Sequence, residues 1–374
     1  MRIPQKSTLS AIRGSLLGGA VGDALGYPVE FMSWRSIQQS YGPAGIQHYA
    51  LHRFSGLAVV SDDTQMSLAT ANGLLVGATR RAINGRADAM ESYIYAAYRD
   101  WYRCQTDPRF SGDDKANTSW LSWLPEMHAN RAPGNTCLSA LRHGEPGVTT
   151  APVNNSKGCG GVMRVAPVAL WYKGTTDIEA VDRLGAEAAA LTHGHPLAWL
   201  PSAALVHMVS RAAFGGCDAD DGLFSLYADC RATLARIYAD VGYTRGFLEY
   251  LDEAAALARN DADDAENIRA LGEGWVGDEA FGIALYCCLR HQSDFSAAMI
   301  AAVNHSGDSD STGAVAGNLL GAWLGYEAIA PEWLEKLELR DTMLTLADDL
   351  SRDCALAGVA DDPIWQKRYV RHER

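Results

Sequence analysis

No dense run of lysine or arginine occurs in the 374-residue chain, and Lys+Arg 32 against Asp+Glu 45 leaves a formal net charge of −13. Sequence-independent binding to nucleic acid or to an anionic membrane surface therefore lacks its electrostatic footprint. The eight cysteines (Cys104, Cys137, Cys159, Cys217, Cys230, Cys287, Cys288 and Cys354) include no C-x-x-C pair, which argues against a zinc ribbon or a thioredoxin-like motif. No Gly-Lys-Ser/Thr triplet is present for a P-loop, and Gly14-Ser-Leu-Leu-Gly-Gly-Ala-Val-Gly22 lacks the G-x-G-x-x-G spacing of a dinucleotide-binding turn. The start, Met1 to Thr8, has no long apolar core, so a secretory signal is not expected and scattered thiols fit a reducing cytoplasm. Strand signals are sparse, since no long run alternates β-branched or aromatic residues with polar ones.

What is present is the composition of a folded globular chain, 48% hydrophobic and 21% charged, which excludes disorder as an overall description. Apolar residues recur at helical spacing. Leu9, Ile12, Leu16 and Ala20 mark one helix face, and Met66, Ala69, Gly73 and Leu74 mark a second. The pattern predicts further helices near 88–103, 178–191, 197–213, 246–258, 277–291, 295–303, 311–326 and 341–357. The expected fold is an all-α, compact single domain over residues 1–374, with a short N-terminal extension (1–8) and a C-terminal helical segment (327–374). Leu191 to Ser210 lacks Asp, Glu, Lys and Arg over a membrane-like length, yet it holds His193, His195 and His207 and is broken by Pro196 and Pro201. It reads as a buried helix and not as a span. Residues 104–160 are rich in Asn, Gly, Pro and Ser and predict long loops, either a cleft wall or an irregular connector. Two acidic turns, Cys217–Gly222 and Asn260–Ala265, are simplest as solvated loops between helices.

Carboxylates carry the chemical signal. Ser61-Asp62-Asp63-Thr64 and Asp308-Ser-Asp310-Ser311-Thr312 each stand just before an apolar helix, where one Asp or Ser suffices to cap the exposed N–H groups. Two carboxylates per cluster would repel if the clusters met in the fold, unless divalent cations lay between them. Residue pattern alone leaves a joint metal site and two separate caps both open. Counting Asp308 as the first position of a calcium loop puts Leu319 where a bidentate Glu is needed, so an EF-hand is excluded. Gly18 to Gly26, which contains Asp23, permits close backbone approach to a neighbouring helix or to a ligand. Glu30, between apolar neighbours, is a partly buried acid or an exposed loop residue. Gly158, Gly160 and Gly161 form a glycine-dense stretch that could turn N–H groups toward phosphates or serve as a hinge, and His193 suits helix capping or ligand contact better than zinc binding.

In order and combination these segments resemble the ADP-ribosylglycohydrolase family, which includes the ADP-ribosylarginine hydrolases and dinitrogenase reductase-activating glycohydrolase. The likeness runs from about Leu9 to Leu324 and rests on Gly14–Gly26, Ser-Asp-Asp-Thr with Met66, Gly158–Leu170, Thr192-His193 and Gly-Asp-Ser-Asp-Ser-Thr. It implies an all-helical fold around a cleft with two Mg²⁺ ions, for which Mn²⁺ could substitute. Ser61, Asp62 and Asp63 would be ligands from one side of the metal pair, and Asp308, Asp310 and Ser311 from the other. Asp62 or Asp308 would activate water, and Glu30 would gate or assist the reaction. Asp23, Gly158, Gly160, Gly161 and His193 would contact the substrate. The implied activity is Mg²⁺-dependent removal of ADP-ribose from a protein in the cytoplasm, with arginine the preferred acceptor because both acidic motifs look most like the arginine-specific branch. Serine or O-acetyl linkages are the alternatives, as is an immunity protein that blocks an ADP-ribosyltransferase toxin. All four metal-site aspartates are present, which counts against a purely vestigial site.

Overall fold

The computed structural model describes residues 6–85, 88–112, 117–173, 175, 177–215, 220–352 and 361–371. In chain order its helices are α1 (Thr8–Gly26), α2 (Trp34–Tyr41), α3 (Asp62–Asn84), α4 (Met90–Thr106), α5 (Asn135–His143), α6 (Ala166–Trp171), α7 (Ile178–Ala190), α8 (Pro196–Phe214) and α9 (Leu223–Ile237). There follow α10 (Thr244–Leu257), α11 (Asp264–Leu271), α12 (Gly277–Arg290), α13 (Phe295–Val303), α14 (Ser309–Leu324), α15 (Pro331–Glu335), α16 (Arg340–Ser351) and α17 (Pro363–Gln366). No strand occurs among the described residues, only isolated bridges such as Gly158 with Val276.

The centre of the bundle is the pair α1 and α14, both buried along nearly their whole length. Side chains are almost absent from their shared face. Gly14, Gly18 and Gly22 of α1 meet Gly321, Gly317 and Gly313 of α14 in order, backbone against backbone. A Cβ on Gly313 would sit 2.5 Å from the Gly22 carbonyl oxygen, a distance that no real contact tolerates. This spacing of four residues keeps the two axes close over about two turns and fixes their register. Helices α8, α12 and α13 surround α14, while α3 packs on α4 and α6.

The helices expected from periodicity are present with small shifts. The one placed at 311–326 begins at Ser309, capped by Asp308, and ends at Leu324 because Gly325 takes φ 87°. The one placed at 341–357 is Arg340–Ser351, and 353–357 lie outside the described residues. The charge-free stretch becomes α8 only from Pro196, with His195 Nδ1 capping Leu197 N–H at 3.0 Å. That helix is long and apolar enough to cross a membrane, but 78% of its apolar window is buried inside the bundle. Region 104–160 holds more order than expected: α5 and short 3-10 turns at Trp120–Trp123 and Pro125–His128 interrupt it. The Asn260–Ala265 turn is also more than a solvated loop, since Asp264 accepts from Tyr286 Oη at 2.6 Å and pairs with His291 Nε2 at 3.0 Å. Part of the other acidic turn, residues 217–219, lies outside the described residues.

Candidate active site

The N-termini of α3 and α14 open into the same cleft, of about 580 Å³. Glu30, Asp62, Asp63, Asp308, Asp310 and Ser311 all line it, and among the described lining residues there is no Lys or Arg. One carboxylate oxygen each from Glu30, Asp308 and Asp310 lie within 4.8 Å of one another. Asp62 Oδ2 accepts the Gly134 N–H at 3.2 Å, and Asp308 Oδ2 accepts the Cys159 thiol at 2.7 Å.

Burial and mutual repulsion shape the ionisation of this group. Burial, reinforced by Asp308 and Asp62, pushes Glu30 up to about 8. Burial also lifts Asp62 to about 8, against the pull of the Gly134 bond. Asp63 and Asp310 are driven well above the carboxylate range by burial and then by the neighbouring acids. Asp63 Oδ2 and Glu30 Oε2 are buried without any donor. Acceptors crowded together with no cation beside them are the donor set of a hard divalent ion, and the residues present fit such a group.

Three residues expected at the cleft, Asp23, Ser61 and Gly161, lie behind it. Asp23, on α1, is fully buried, and its carboxylate accepts Ser61 N–H at 3.0 and 3.1 Å, Thr64 N–H at 3.1 Å and the Thr64 hydroxyl at 2.5 Å. Instead of forming the wall, it clamps the first turn of α3 to α1, and so aims Asp62 and Asp63 outward. Burial raises its carboxyl to about 6 in spite of those bonds. Ser61 is likewise buried outside the lining, with its Oγ accepting the Asp63 N–H at 3.2 Å as the cap of α3. The capping role is thus filled here by Ser61 and Asp23, which leaves both cleft aspartates of α3 unspent.

The facing wall is Gly158, Cys159, Gly160 and His193. A Cβ on Gly160 would come 3.0 Å from His193 Cε1, so glycine lets the backbone lie directly against the imidazole. Gly161 is buried one step behind, against the Ala189 side chain. Thr192 Oγ1 accepts from the Arg164 guanidinium at 2.6 Å and lies 2.8 Å from His193 Nδ1. Assigning the Thr192 proton to Nδ1 leaves Nε2–H as the donor on the Gly158–Gly160 side. Burial and Arg164 hold His193 down at about 3, so it is a neutral donor. Sequence reasoning missed Phe31, Gly134, Asn135, Thr136 and Trp275, which complete the rim. The signals available for them were the Ala132-Pro-Gly134 turn and a tryptophan flanked by glycines in Gly272–Gly277.

An all-helical bundle whose two acidic helix N-termini face a glycine-lined wall defines a class, and comparison with known proteins gives it a name. The chain belongs to the ADP-ribosylglycohydrolase family, whose profile matches residues 4–360. It is an enzyme of the group that hydrolyses ADP-ribosyl linkages. It is 28% identical over 335 residues to the ADP-ribosyl-[dinitrogen reductase] glycohydrolase of Rhodospirillum rubrum, covering 87% of this chain and 90% of that protein. It is 24% identical over 366 residues to ADP-ribosylarginine hydrolase Tri1 of Pseudomonas putida, covering 97% and 84%. Among solved structures, an ADP-ribosylglycohydrolase-related protein complex superposes with a TM-score of 0.61 at 25% identity, covering 94% of this chain and all of that one.

Proposed function

We propose that the chain is a Mg²⁺-dependent ADP-ribosylarginine hydrolase that reverses mono-ADP-ribosylation of protein in the cytoplasm, including modification by a transferase toxin. The observation that carries the reading is the group of five carboxylates in one cleft without a Lys or Arg among its described lining residues. The arginine acceptor is supported by the name of the Pseudomonas putida relative. The absence of any disulfide among the described cysteines is compatible with the cytoplasm.

Asp62, Asp63, Asp308 and Asp310, with Ser311, would hold two Mg²⁺ ions, or Mn²⁺ in their place, and Ser61 supports them from behind as the cap of α3. When bound, the ions orient the distal ribose and polarise it as Lewis acids. The chain's own residues do the rest. The Gly158–Gly160 backbone and His193 Nε2–H receive the diphosphate and the ribose edge. Asp62 or Asp308 holds a water against the anomeric carbon and takes its proton. The bond from that carbon to the guanidine nitrogen breaks through an oxocarbenium-like state, water oxygen bonds to the carbon, and the departing nitrogen gains a proton. Glu30, on the cleft lining beside Asp308 and Asp310, gates or assists the reaction, and the proton for the nitrogen comes from solvent.

The test is release of ADP-ribose from an arginine-ADP-ribosylated protein with Mg²⁺, beside EDTA and the Asp62→Ala and Asp310→Ala variants. The expected result is release that EDTA abolishes and that each variant lowers by about a hundredfold or more. No release by the intact protein would overturn the arginine reading.

A further inference from the structure

At the mouth of the cleft two large aromatic rings stand partly in solvent. Phe31 is 70% exposed and Trp275 is 37% exposed, and both line the cleft beside Glu30. Their rings stack with centroids 5.3 Å apart and planes 23° apart. Phe31 pays for this position with a left-handed backbone, φ 65°, rare for a bulky residue. Trp275 is pinned from behind: its carbonyl accepts Cys159 N–H at 3.3 Å, and Gly277 N–H donates to Lys157 O at 2.8 Å. Its indole N–H points to Glu273 at 3.3 Å. A strained turn that exposes an aromatic ring gains nothing from burial, so the wall has another use.

From this geometry we infer that Phe31, Trp275 and Glu30 form the acceptor subsite, and that the group they recognise is the guanidinium of the ADP-ribosylated arginine. The inference rests on the arginine reading above and names the residues that read the acceptor. A guanidinium is flat, stacks on aromatic faces and donates through a planar fork to carboxylates. The mouth offers an aromatic face, the Glu30 carboxylate on the same lining, and no Lys or Arg among the described lining residues to compete for it. Neutral acceptors such as a serine oxygen gain nothing from that combination. Adenine could also stack on the wall, but the wall adjoins the reacting end. Phe31 follows Glu30 in sequence, and Glu30 lies within 4.8 Å of Asp308 and Asp310.

The experiment compares wild type, Trp275→Ala and Trp275→Phe on one protein ADP-ribosylated on arginine and on serine, with free ADP-ribose as a competitive inhibitor. Trp275→Ala is expected to lower kcat/KM on the arginine linkage by about tenfold, mainly through KM. Trp275→Phe should restore most of it. Turnover of the serine linkage, at whatever level wild type shows, and the inhibition constant of ADP-ribose should both stay within about twofold. A weakened ADP-ribose inhibition would mean that the wall holds adenine and would overturn the subsite, as would an equal loss on both linkages or no loss at all. Those outcomes leave the arginine activity of wild type standing. Only wild type failing on the arginine linkage would remove the arginine reading and the subsite together.

Discussion

The glycine-faced pair α1 and α14 and the rim that surrounds the cleft solve opposite problems. Along the pair, Gly14, Gly18 and Gly22 lie against Gly321, Gly317 and Gly313 with no space for a methyl group, and every one of these residues is buried. Such a contact has one register. It sets where Asp308 and Asp310 emerge, and through Asp23 it sets where α3 emerges too. The rim, from Phe31 through the 130–138 arm to Trp275, carries its groups on turns and on the first turn of α5, with positive φ at Phe31 and Ala132. Charged ligands for a metal need fixed positions to better than an ångström, whereas acceptor recognition tolerates turns that can be re-cut without moving the centre.

The sharpest way to break that contrast is a side chain in the glycine face. Gly22→Val would drive two methyl groups into the Gly313 backbone, and the expected outcome is loss of the cooperative thermal transition or a stability loss of more than about 3 kcal/mol. Gly85→Ala is the control. Gly85 has φ 69° and ψ −3°, left-handed α, with nothing within 4 Å of a Cβ, so only backbone strain of about 1–2 kcal/mol is expected. Equal losses in the two variants would show that the glycine face is not what holds the register.

A second buried clamp supports the same core by a polar route. His207 of α8 has Nδ1 2.9 Å from Asp182 Oδ2 of α7 and Nε2 3.0 Å from Asp229 Oδ2 of α9, with Arg211 Nε also on Asp229 at 2.7 Å. The two carboxylates raise the His207 value above that of free histidine, although burial opposes them. Removing it with His207→Gln strands Asp182, whose Oδ1 already lacks a donor, and a loss of about 3 kcal/mol is expected near pH 6. A raised histidine value means stability that is fully present below the unfolded value and is lost as pH rises through the folded one. The wild-type advantage over His207→Gln should therefore shrink as pH climbs from 6 to 9. His207 also holds Asp229 below the usual carboxylate range, so that group's share is lost only as pH falls through its depressed value. An advantage that grows with pH in chemical denaturation would refute the clamp.

Asp23 joins the two regions, and a smaller stability effect is expected there. Asp23→Asn keeps an acceptor for the α3 turn but cannot serve Ser61 N–H and the Thr64 groups with both oxygens. Mg²⁺ affinity measured by calorimetry should fall about 10–100-fold, with a stability loss near 1 kcal/mol. Unchanged affinity would show that α3 is aimed by other contacts.

The sequence was most legible where signals were local. Asp62, Asp63, Asp308 and Asp310 announce themselves because a helix start explains one carboxylate and not two, and Leu9, Ile12 and Leu16 mark α1 by period alone. Roles that depend on what lies behind the chain were not legible. Asp23 and Ser61 stand beside the same acidic cluster, and only the packing of α1 on α3 turns both into supports. Trp275 joins the rim through a bridge between residues 158 and 276, far apart in sequence. Short helices such as α2, with Ile37 as its one fully buried side chain, offer too little periodicity to read.

The smallest expected effect sharpens the comparison from the rim side. Phe31→Gly removes the strain of φ 65°, about 1–2 kcal/mol, and also removes the stack on Trp275, worth about 0.5–1.5 kcal/mol. Glycine adds back up to about 1 kcal/mol of backbone entropy cost. The terms oppose one another, so the midpoint in denaturant should move by less than about 1 kcal/mol in free energy. Gly22→Val adds side chain to a full contact and Phe31→Gly takes it from an exposed one, so the two variants probe the same rule from either end. A destabilisation by Phe31→Gly as large as that of His207→Gln would mean that the rim is part of the folded core, and the division between fixed centre and replaceable rim would fall.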